Sequence, residues 1–230
     1  MTTIHPIRTS VVRSYLIVEE GAILVDCGPP GQAKKIERQL GRLTVDPTDV
    51  TLIVLTHSHA DHAGCVNELR ELTGARIVVG SADRGWLEQG VVAVPTPTNA
   101  WGKFVAATFK ALMLPFVQLP AAEADIFVED EDLDLAPYGV NGRVLATPGH
   151  TPGSLTVLLH GGDAIVGDMA MSGPPFASRP GLPFAAEDTE ALLKSWRELL
   201  RRGAKTIYPA HGKPFPADVM RALLAAKHAL

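Results

Sequence analysis

Short apolar runs separated by polar turns indicate a chain that contains many short β-strands. The apolar run at residues 15–18 is followed by a polar turn at 19–21 and a second run at 22–25, which predicts an antiparallel hairpin. Gly161 and Gly162 predict another hairpin turn further along the chain. Other strands are predicted at residues 52–55, 76–79, 143–146, 155–159, 164–166 and 206–208.

Helical patterns lie between these strands. Helices are predicted over residues 32–40, 60–73, 188–203 and from about residue 216 onward. The helix at 188–203 has an acidic first turn and a basic last turn, which suits the helix dipole. Because the strands occur in two groups with helices between them, we expect one α/β domain over residues 1–230, with sheet facing sheet and helices outside.

Residues 95–125 interrupt this alternation and predict a helical insertion. Trp101, Phe104 and Phe109 belong to an apolar stripe at helical spacing. Together with Phe176, in a loop rich in Pro and Gly, they are candidates to line an apolar entrance for substrate. The stripe could equally pack on the sandwich or form a dimer contact, because periodicity does not say what a helix faces.

Composition narrows the class of protein. The 230 residues are 46% apolar and 20% charged, with a net charge of −4 and no run of Lys or Arg, which disfavours nucleic acid as a partner. Cys27 and Cys65 form no Cys-x-x-Cys motif, so we expect two buried thiols in a reducing compartment. The N-terminus lacks the pattern of a secretion signal, and no stretch is long enough to span a bilayer. We therefore expect a cytoplasmic protein with no membrane partner, and a homodimer stays open.

A cluster of metal-binding residue types directly follows the apolar run at 52–55. His57, His59, Asp61 and His62 form the pattern H-x-H-x-D-H. In an extended chain the alternate side chains of His57, His59 and Asp61 would share one side. A helix that begins near Asp61 would turn His62 another way, which favours two metal ions over one.

Three more possible ligands each follow a predicted strand and lie beside Gly or Pro. These are His150, Asp168 and His211. Taken singly, each is more typical of a turn or a capping residue, but together with the first cluster they give five histidines and two aspartates. A set of nitrogen and oxygen donors without thiolate suits zinc, and also iron or manganese.

These motifs and their order resemble those of the metallo-β-lactamase-fold superfamily over nearly the whole chain. The resemblance implies a four-layer αβ/βα sandwich of two mixed sheets, with the metal site at one edge between the sheets. It also implies two Zn²⁺ ions per chain. By the resemblance, the first ion would be bound by His57, His59 and His150, the second by Asp61, His62 and His211, and Asp168 would bridge both.

The implied activity is hydrolysis of a small molecule. Two metal ions about 3.5–4 Å apart lower the pKa of a shared water to about 7. We expect the resulting hydroxide, held by Asp61 and Asp168, to attack the carbonyl of an ester, thioester or lactone. Asp26, followed by Cys27 and Gly28, resembles the Asp-Thr-Gly turn common near this centre and is a candidate to orient a ligand histidine. The alternative is an ordinary turn after a strand.

Departures from individual branches narrow the choice. True β-lactamases of the superfamily lack the bridging aspartate, whereas this chain has Asp168. The tail after His211 is shorter than in glyoxalase II. Met171 occupies the position where acyl-homoserine lactonases usually have Tyr. One alternative is a mononuclear iron sulfur dioxygenase, whose ligands are similar. Another is a non-catalytic binding protein, which is disfavoured because such proteins often lose ligands and none is lost here.

Overall fold

The computed structural model describes residues 1–10, 12–94, 96–174 and 177–228. The strands are β1 (Thr3–Arg8), β2 (Arg13–Val18), β3 (Ala22–Val25), β4 (Val50–Val54), β5 (Arg76–Gly80), β6 (Ile126–Val128), β7 (Leu133–Asp134), β8 (Gly142–Ala146), β9 (Leu155–Leu159), β10 (Asp163–Gly167), β11 (Thr206–Pro209) and β12 (Phe215–Pro216). The α-helices are α1 (Ala33–Arg42), α2 (Ala60–Ala63), α3 (Val66–Thr73), α4 (Arg84–Gln89), α5 (Ala100–Thr108), α6 (Thr189–Arg201) and α7 (Asp218–His228).

Two six-stranded mixed sheets form the centre of the molecule. The first has the order β1-β2-β3-β4-β5-β6, and the second has the order β12-β11-β10-β9-β8-β7. In the first sheet, β3, β4, β5 and β6 run parallel, and β1 and β2 add an antiparallel edge. In the second sheet, the β10–β11 pair is parallel and the other pairs are antiparallel.

Apolar side chains are buried in three layers of core. One cluster lies between the sheets, where Ile23 and Leu52 of the first sheet face Val157 and Ile165 of the second. A second cluster lies between the first sheet and helices α1 and α3. A third, around the fully buried Trp196, packs α6 and α7 on the second sheet. The predicted four-layer αβ/βα sandwich is therefore confirmed.

The topology places several strand ends at one edge of the sandwich. Strands β3 and β4 are parallel, as are β10 and β11, while β8 is antiparallel to β9 and β9 to β10. The carboxyl ends of β3 and β4 therefore meet at one edge, and so do those of β8, β10 and β11. The loops that follow these five strands contain the residues singled out from the sequence.

The single helix predicted over residues 60–73 is wrong. α2 ends at Ala63 and α3 begins at Val66, so the chain turns at Gly64 and Cys65. A Cβ atom at Gly64 would lie 2.3 Å from the ring of Pro30, so the turn after β3 that contains Pro30 is in close contact with the chain at Gly64. Two short helices are therefore found where one continuous helix was expected.

The insertion contains α5, which continues into a π-helical turn (Phe109–Met113) and a 3₁₀ turn (Leu114–Phe116). A helix is present where the apolar stripe predicts one, and the side chains of Trp101 and Phe104 on it are exposed. Within the described ranges, no helix has the length and apolar character needed to cross a bilayer.

Candidate metal centre

The loop after β4 brings three histidines close together. His57 is still in extended chain, and His59 precedes the first turn of α2, so the alternation expected from the sequence ends at His59. Asp61 and His62 lie within α2, and their ligand atoms are close to each other, with Oδ2 of Asp61 3.8 Å from Nε2 of His62. The rings of His57 and His59 are 4.6 Å apart, and those of His57 and His62 are 3.9 Å apart.

The first group of possible ligands is His57, His59 and His150, all buried. His150 comes from the other sheet, on the loop after β8. Its Nε2 atom lies 3.2 Å from Nδ1 of His59, and its Nδ1 atom lies 3.0 Å from the backbone oxygen of Ala185. The Ala185 contact favours a proton on Nδ1, which leaves Nε2 as the acceptor atom that faces the other two imidazoles.

The second group is Asp61, His62 and His211. Oδ2 of Asp61 lies 3.4 Å from Nε2 of His211 and 3.8 Å from Nε2 of His62. Both histidines are buried, whereas the Asp61 side chain is 37% exposed. Asp61 is therefore the member of this group that borders solvent.

Asp168 lies between the two groups. Its Oδ1 atom is 3.5 Å from Nε2 of His62. Its Oδ2 atom is 3.4 Å from Nε2 of His211 and 3.7 Å from Nε2 of His150. One carboxylate thus faces ligands of both groups, which is the position that the resemblance implied for a bridging residue.

The unpaired atoms of this site suit a cation. Nε2 of His57, His59 and His62 and Oδ1 of Asp168 are buried and have no hydrogen-bond partner among the described residues. Leaving a buried polar atom without a partner costs about 1–3 kcal/mol. Nitrogen and oxygen atoms of this kind fit the preferences of a borderline metal ion such as zinc.

Without a bound metal ion, the histidines differ in charge. Burial lowers the pKa of His57 well below its usual value, and burial together with the nearby His150 lowers the pKa of His59 to about 3. Burial also lowers the pKa of His150. These three imidazoles are therefore neutral at pH 7, the form in which histidine binds metals.

Burial also acts to lower the pKa values of His62 and His211, but nearby carboxylates raise these pKa values by more than burial lowers them. Asp26 is the main contributor that raises the pKa of His62 to about 9, and Asp168 the main one that raises the pKa of His211 to about 10. Burial raises the pKa of Asp168, but His211 and His62 outweigh it and lower that pKa to about 2. His62 and His211 therefore each carry one extra proton near pH 7, and a metal ion that binds there would displace both protons.

Asp26 contacts one of the possible ligands, His62, through the ring nitrogen that does not face the other ligands. It is buried directly after β3, and its Oδ2 atom lies 2.8 Å from Nδ1 of His62. Thr56 donates its backbone N–H (2.8 Å) and its hydroxyl (2.8 Å) to the same carboxylate. Asp26 therefore connects the end of β3 to the loop that bears the histidines.

The sequence analysis did not identify two residues near the site, Asp83, which directly precedes α4, and Trp86, which lies within it. Asp83, fully buried, accepts hydrogen bonds from the loops of both sheets. Trp86 stacks on the ring of His59, with centroids 6.2 Å apart and the planes 10° from parallel. No motif in the sequence indicates this contact. The one available signal is that an aromatic residue follows soon after the end of a strand.

Helix α5, which bears Trp101 and Phe104, lies beside the loop that supports His150. Gly102 of α5 is in close contact with this loop, since a Cβ atom there would lie 2.1 Å from the backbone oxygen of Phe184. Trp101 and Phe104 stack on each other, with centroids 5.5 Å apart. Phe109 is half-buried at the start of the π-helical turn, and Phe176 lies outside the described residues. That these side chains line an entrance stays a prediction.

Comparison with known proteins agrees with this geometry. The family model described as the metallo-beta-lactamase superfamily matches residues 7–211. The probable metallo-hydrolase YqgX of Bacillus subtilis (strain 168) is 27% identical over 161 residues, 69% of this chain and 65% of YqgX. Hydroxyacylglutathione hydrolase GloC of Haemophilus influenzae is 26% identical over 156 residues, 67% of this chain and 64% of GloC. The chain thus spans just under two thirds of the length of both relatives.

A solved structure shares the fold. The archaeal metallo-beta-lactamase superfamily protein ST1585 from Sulfolobus tokodaii superimposes with a TM-score of 0.67 at 22% identity, covering 98% of this chain and 86% of ST1585. The likeness in structure establishes the arrangement of the two sheets, and the family model covers the segment that bears the six side chains of the two groups and Asp168. The chain therefore belongs to the metallo-beta-lactamase superfamily.

Proposed function

We propose that the protein is a hydrolase that binds two zinc ions, cleaves an ester, thioester or lactone, and acts on a small molecule. The observation that carries this proposal is the position of Asp168 between the two ligand groups. A carboxylate within 3.4–3.7 Å of His150, His62 and His211 has a place in both groups. Metal ions bound there would act as Lewis acids and lower the pKa of a coordinated water to about 7.

The residues of the chain have distinct roles in this proposal. His57, His59 and His150 would hold one ion through neutral imidazoles, and Asp61, His62 and His211 would hold the other. Asp61 is the partly exposed carboxylate of the site, so it would hold the second ion from the side that borders solvent. Asp26 holds His62 from behind, which keeps Nε2 directed at the site.

Two observations support an acyl compound as the substrate. The ring of Trp86 lies parallel to that of His59, with centroids 6.2 Å apart, and the apolar helix α5 lies against the loop that supports His150. These surfaces suit an apolar acyl group next to a carbonyl. The relative GloC is named as a hydroxyacylglutathione hydrolase, which supports testing thioesters first.

The experiment begins with metal quantification on protein purified without added metal. Thioester, lactone and aryl-ester substrates are then assayed on the same preparation. About two zinc ions per chain with hydrolysis supports the proposal, whereas one iron ion with oxygen consumption supports the sulfur dioxygenase instead. Absence of metal binding and of turnover would contradict both.

Asp168→Ala tests the bridging role. We expect this variant to bind fewer metal ions and to lose most of its activity, because one side chain serves both groups. Asp163→Ala is the matched control, since Asp163 lies at the opposite end of β10, away from the site. If Asp168→Ala keeps its metal content and rate, the bridging role is wrong.

A further inference from the structure

Asp83 is a buried carboxylate that contacts neither ligand group directly. It lies between β5 and α4 and is fully inaccessible to solvent. Its Oδ2 atom accepts hydrogen bonds from the backbone N–H of Ser58 (3.0 Å) and from the hydroxyl of Thr151 (2.9 Å). Its Oδ1 atom accepts one from the backbone N–H of Gly153 (2.8 Å).

The three donors belong to the loops that hold the first group of ligands. Ser58 lies between His57 and His59, on the loop of the first sheet. Thr151 directly follows His150, on the loop of the second sheet. One carboxylate therefore joins the backbones of two loops that are about ninety residues apart in sequence and belong to different sheets.

Close packing leaves this arrangement little freedom. A Cβ atom at Gly153 would lie 2.6 Å from Cγ of Asp83, and one at Gly80 would lie 2.0 Å from the backbone oxygen of Gly153. The end of β5, Asp83 and the Gly153 turn are thus in direct contact. A shift of the carboxylate would be transmitted to both loops, because packed interiors have few voids to absorb it.

We propose that Asp83 is a positioning residue that sets the distance between the His57–His59 loop and His150, so that the three imidazoles converge before a metal ion binds. This inference rests on the proposed metal-dependent function. It adds a second supporting carboxylate: Asp26 contacts His62 and Thr56, and Asp83 contacts the two loops that bear His57, His59 and His150.

The alternative is that Asp83 only contributes to stability. Removal of the carboxylate would leave the N–H groups of Ser58 and Gly153 without their acceptor, and either role predicts a cost in stability from that. Only the positioning role predicts a selective effect on one of two metal sites. The hydrogen bonds of the Asp83 carboxylate go to the loops of the first group, so the site of Asp61, His62 and His211 should be retained.

Asp83→Asn tests the proposal, because the amide keeps the size of the side chain but replaces one acceptor oxygen with an N–H₂ group, which cannot accept a hydrogen bond. Zn²⁺ is titrated against a chelator of known affinity into wild type and variant, and thermal unfolding is followed with and without the metal. We expect one of the two Zn²⁺ ions to bind about 10- to 100-fold more weakly and the other to bind as in wild type. The rise in Tm caused by Zn²⁺ should shrink accordingly.

Asp125→Asn is the matched control. Asp125 also accepts a hydrogen bond from a backbone N–H, that of Ile77 (2.7 Å), at the opposite end of β5. We expect this variant to lower Tm while both Zn²⁺ affinities stay unchanged. Equal losses of Zn²⁺ affinity in the two variants would overturn the positioning role.

Thr151→Val is a second variant, for use if Asp83→Asn does not fold. It removes one hydrogen bond to Asp83 and keeps the volume of the side chain, and we expect the same selective loss at a smaller factor. Two unchanged Zn²⁺ affinities in the folded variants would overturn the inference about Asp83 and leave the proposed function intact. Failure of wild type itself to bind Zn²⁺ would instead overturn the proposed function.

Discussion

Oδ2 of Asp26 lies 2.8 Å from Nδ1 of His62, and both side chains are almost completely buried, at 1% and 0% exposure. A carboxylate at Nδ1 fixes the proton on that nitrogen and leaves Nε2 as the atom available for a metal ion. The backbone of Asp26 has φ 63°, a left-handed conformation that Asp and Asn adopt more readily than most residues. Asp26 thus directs His62 toward Asp61 and Asp168.

Asp26→Asn should weaken one metal site without a change of backbone, because Asn tolerates the same φ. We expect metal affinity to fall about 10- to 100-fold at the site of Asp61, His62 and His211, measured by competition with a chelator. Asp46→Asn is the control, since Asp46 is an exposed residue that accepts a hydrogen bond from Thr48 (2.9 Å). Equal affinities in wild type and Asp26→Asn would refute the orienting role.

Metal binding at the second group should release protons. The pKa of His62 is raised to about 9 and that of His211 to about 10, so both imidazoles carry a proton near pH 7 in the metal-free protein. Both protons must leave before the nitrogens bind a metal ion, so affinity at this site should rise with pH up to about 9–10. At the site of the three neutral histidines, affinity should change little above pH 7.

Calorimetric titration of Zn²⁺ in two buffers of different ionisation enthalpy measures these protons. We expect up to two protons released for one of the two ions and close to none from side chains for the other. Release that is equal for both ions would contradict the difference in charge between the groups.

The convergence of the candidate ligands could be predicted from the sequence because these residues lie just after strand ends. His57, His150, Asp168 and His211 each follow a buried strand by a few residues, and parallel strands bring their carboxyl ends to one edge. The structure brings these side chains together as expected. Their role as metal ligands stays a prediction that the titrations test.

Asp83 and Trp86 could not be predicted in this way. Asp83 bonds to Ser58, Thr151 and Gly153, which are 25, 68 and 70 residues away, and no local pattern encodes contacts at such separations. Strand β1 was missed for a different reason. It contains Pro6, and an edge strand tolerates proline where a central strand does not.

Trp86→Ala should affect substrate binding more than turnover. The indole lies parallel to the ring of His59, and an aromatic contact between it and the acyl group of a substrate would contribute about 0.5–1.5 kcal/mol, or roughly 2- to 12-fold in affinity. We expect KM for bulky acyl substrates to rise by that factor while kcat is largely retained. Phe127→Ala is the control, because Phe127 is an exposed aromatic residue on β6. An unchanged KM for short and long acyl substrates alike would exclude a substrate contact.

Trp101→Ala tests the predicted apolar entrance. Trp101 is 45% exposed and stacks on Phe104, which is 61% exposed, so its removal should cost little stability. If α5 borders the entrance, KM should rise for long acyl chains and stay constant for short ones. A variant with unchanged KM for both, or one that changes only the oligomeric state, would favour a dimer contact instead.

Gly212→Ala should disrupt the loop that holds His211. Gly212 has φ +115°, and a Cβ atom there would lie 1.6 Å from the backbone oxygen of Ser172, so the chain must move. Ser172 donates its backbone N–H to the oxygen of His211 (2.9 Å), and movement would therefore shift the ligand. We expect a loss of about 2–5 kcal/mol in the free energy of unfolding, from left-handed strain and overpacking together.

Gly74→Ala separates these two contributions. Gly74 also has a positive φ, +71°, but no atom lies within 4 Å of the position that an alanine methyl group would take, so only the strain of about 1–2 kcal/mol applies. Chemical denaturation of both variants gives the two losses, and zinc titration shows whether Gly212→Ala also weakens the second metal site. A loss in Gly212→Ala no larger than that in Gly74→Ala would mean that the loop can move away from Ser172 without cost, and that His211 is held less rigidly than its contacts indicate.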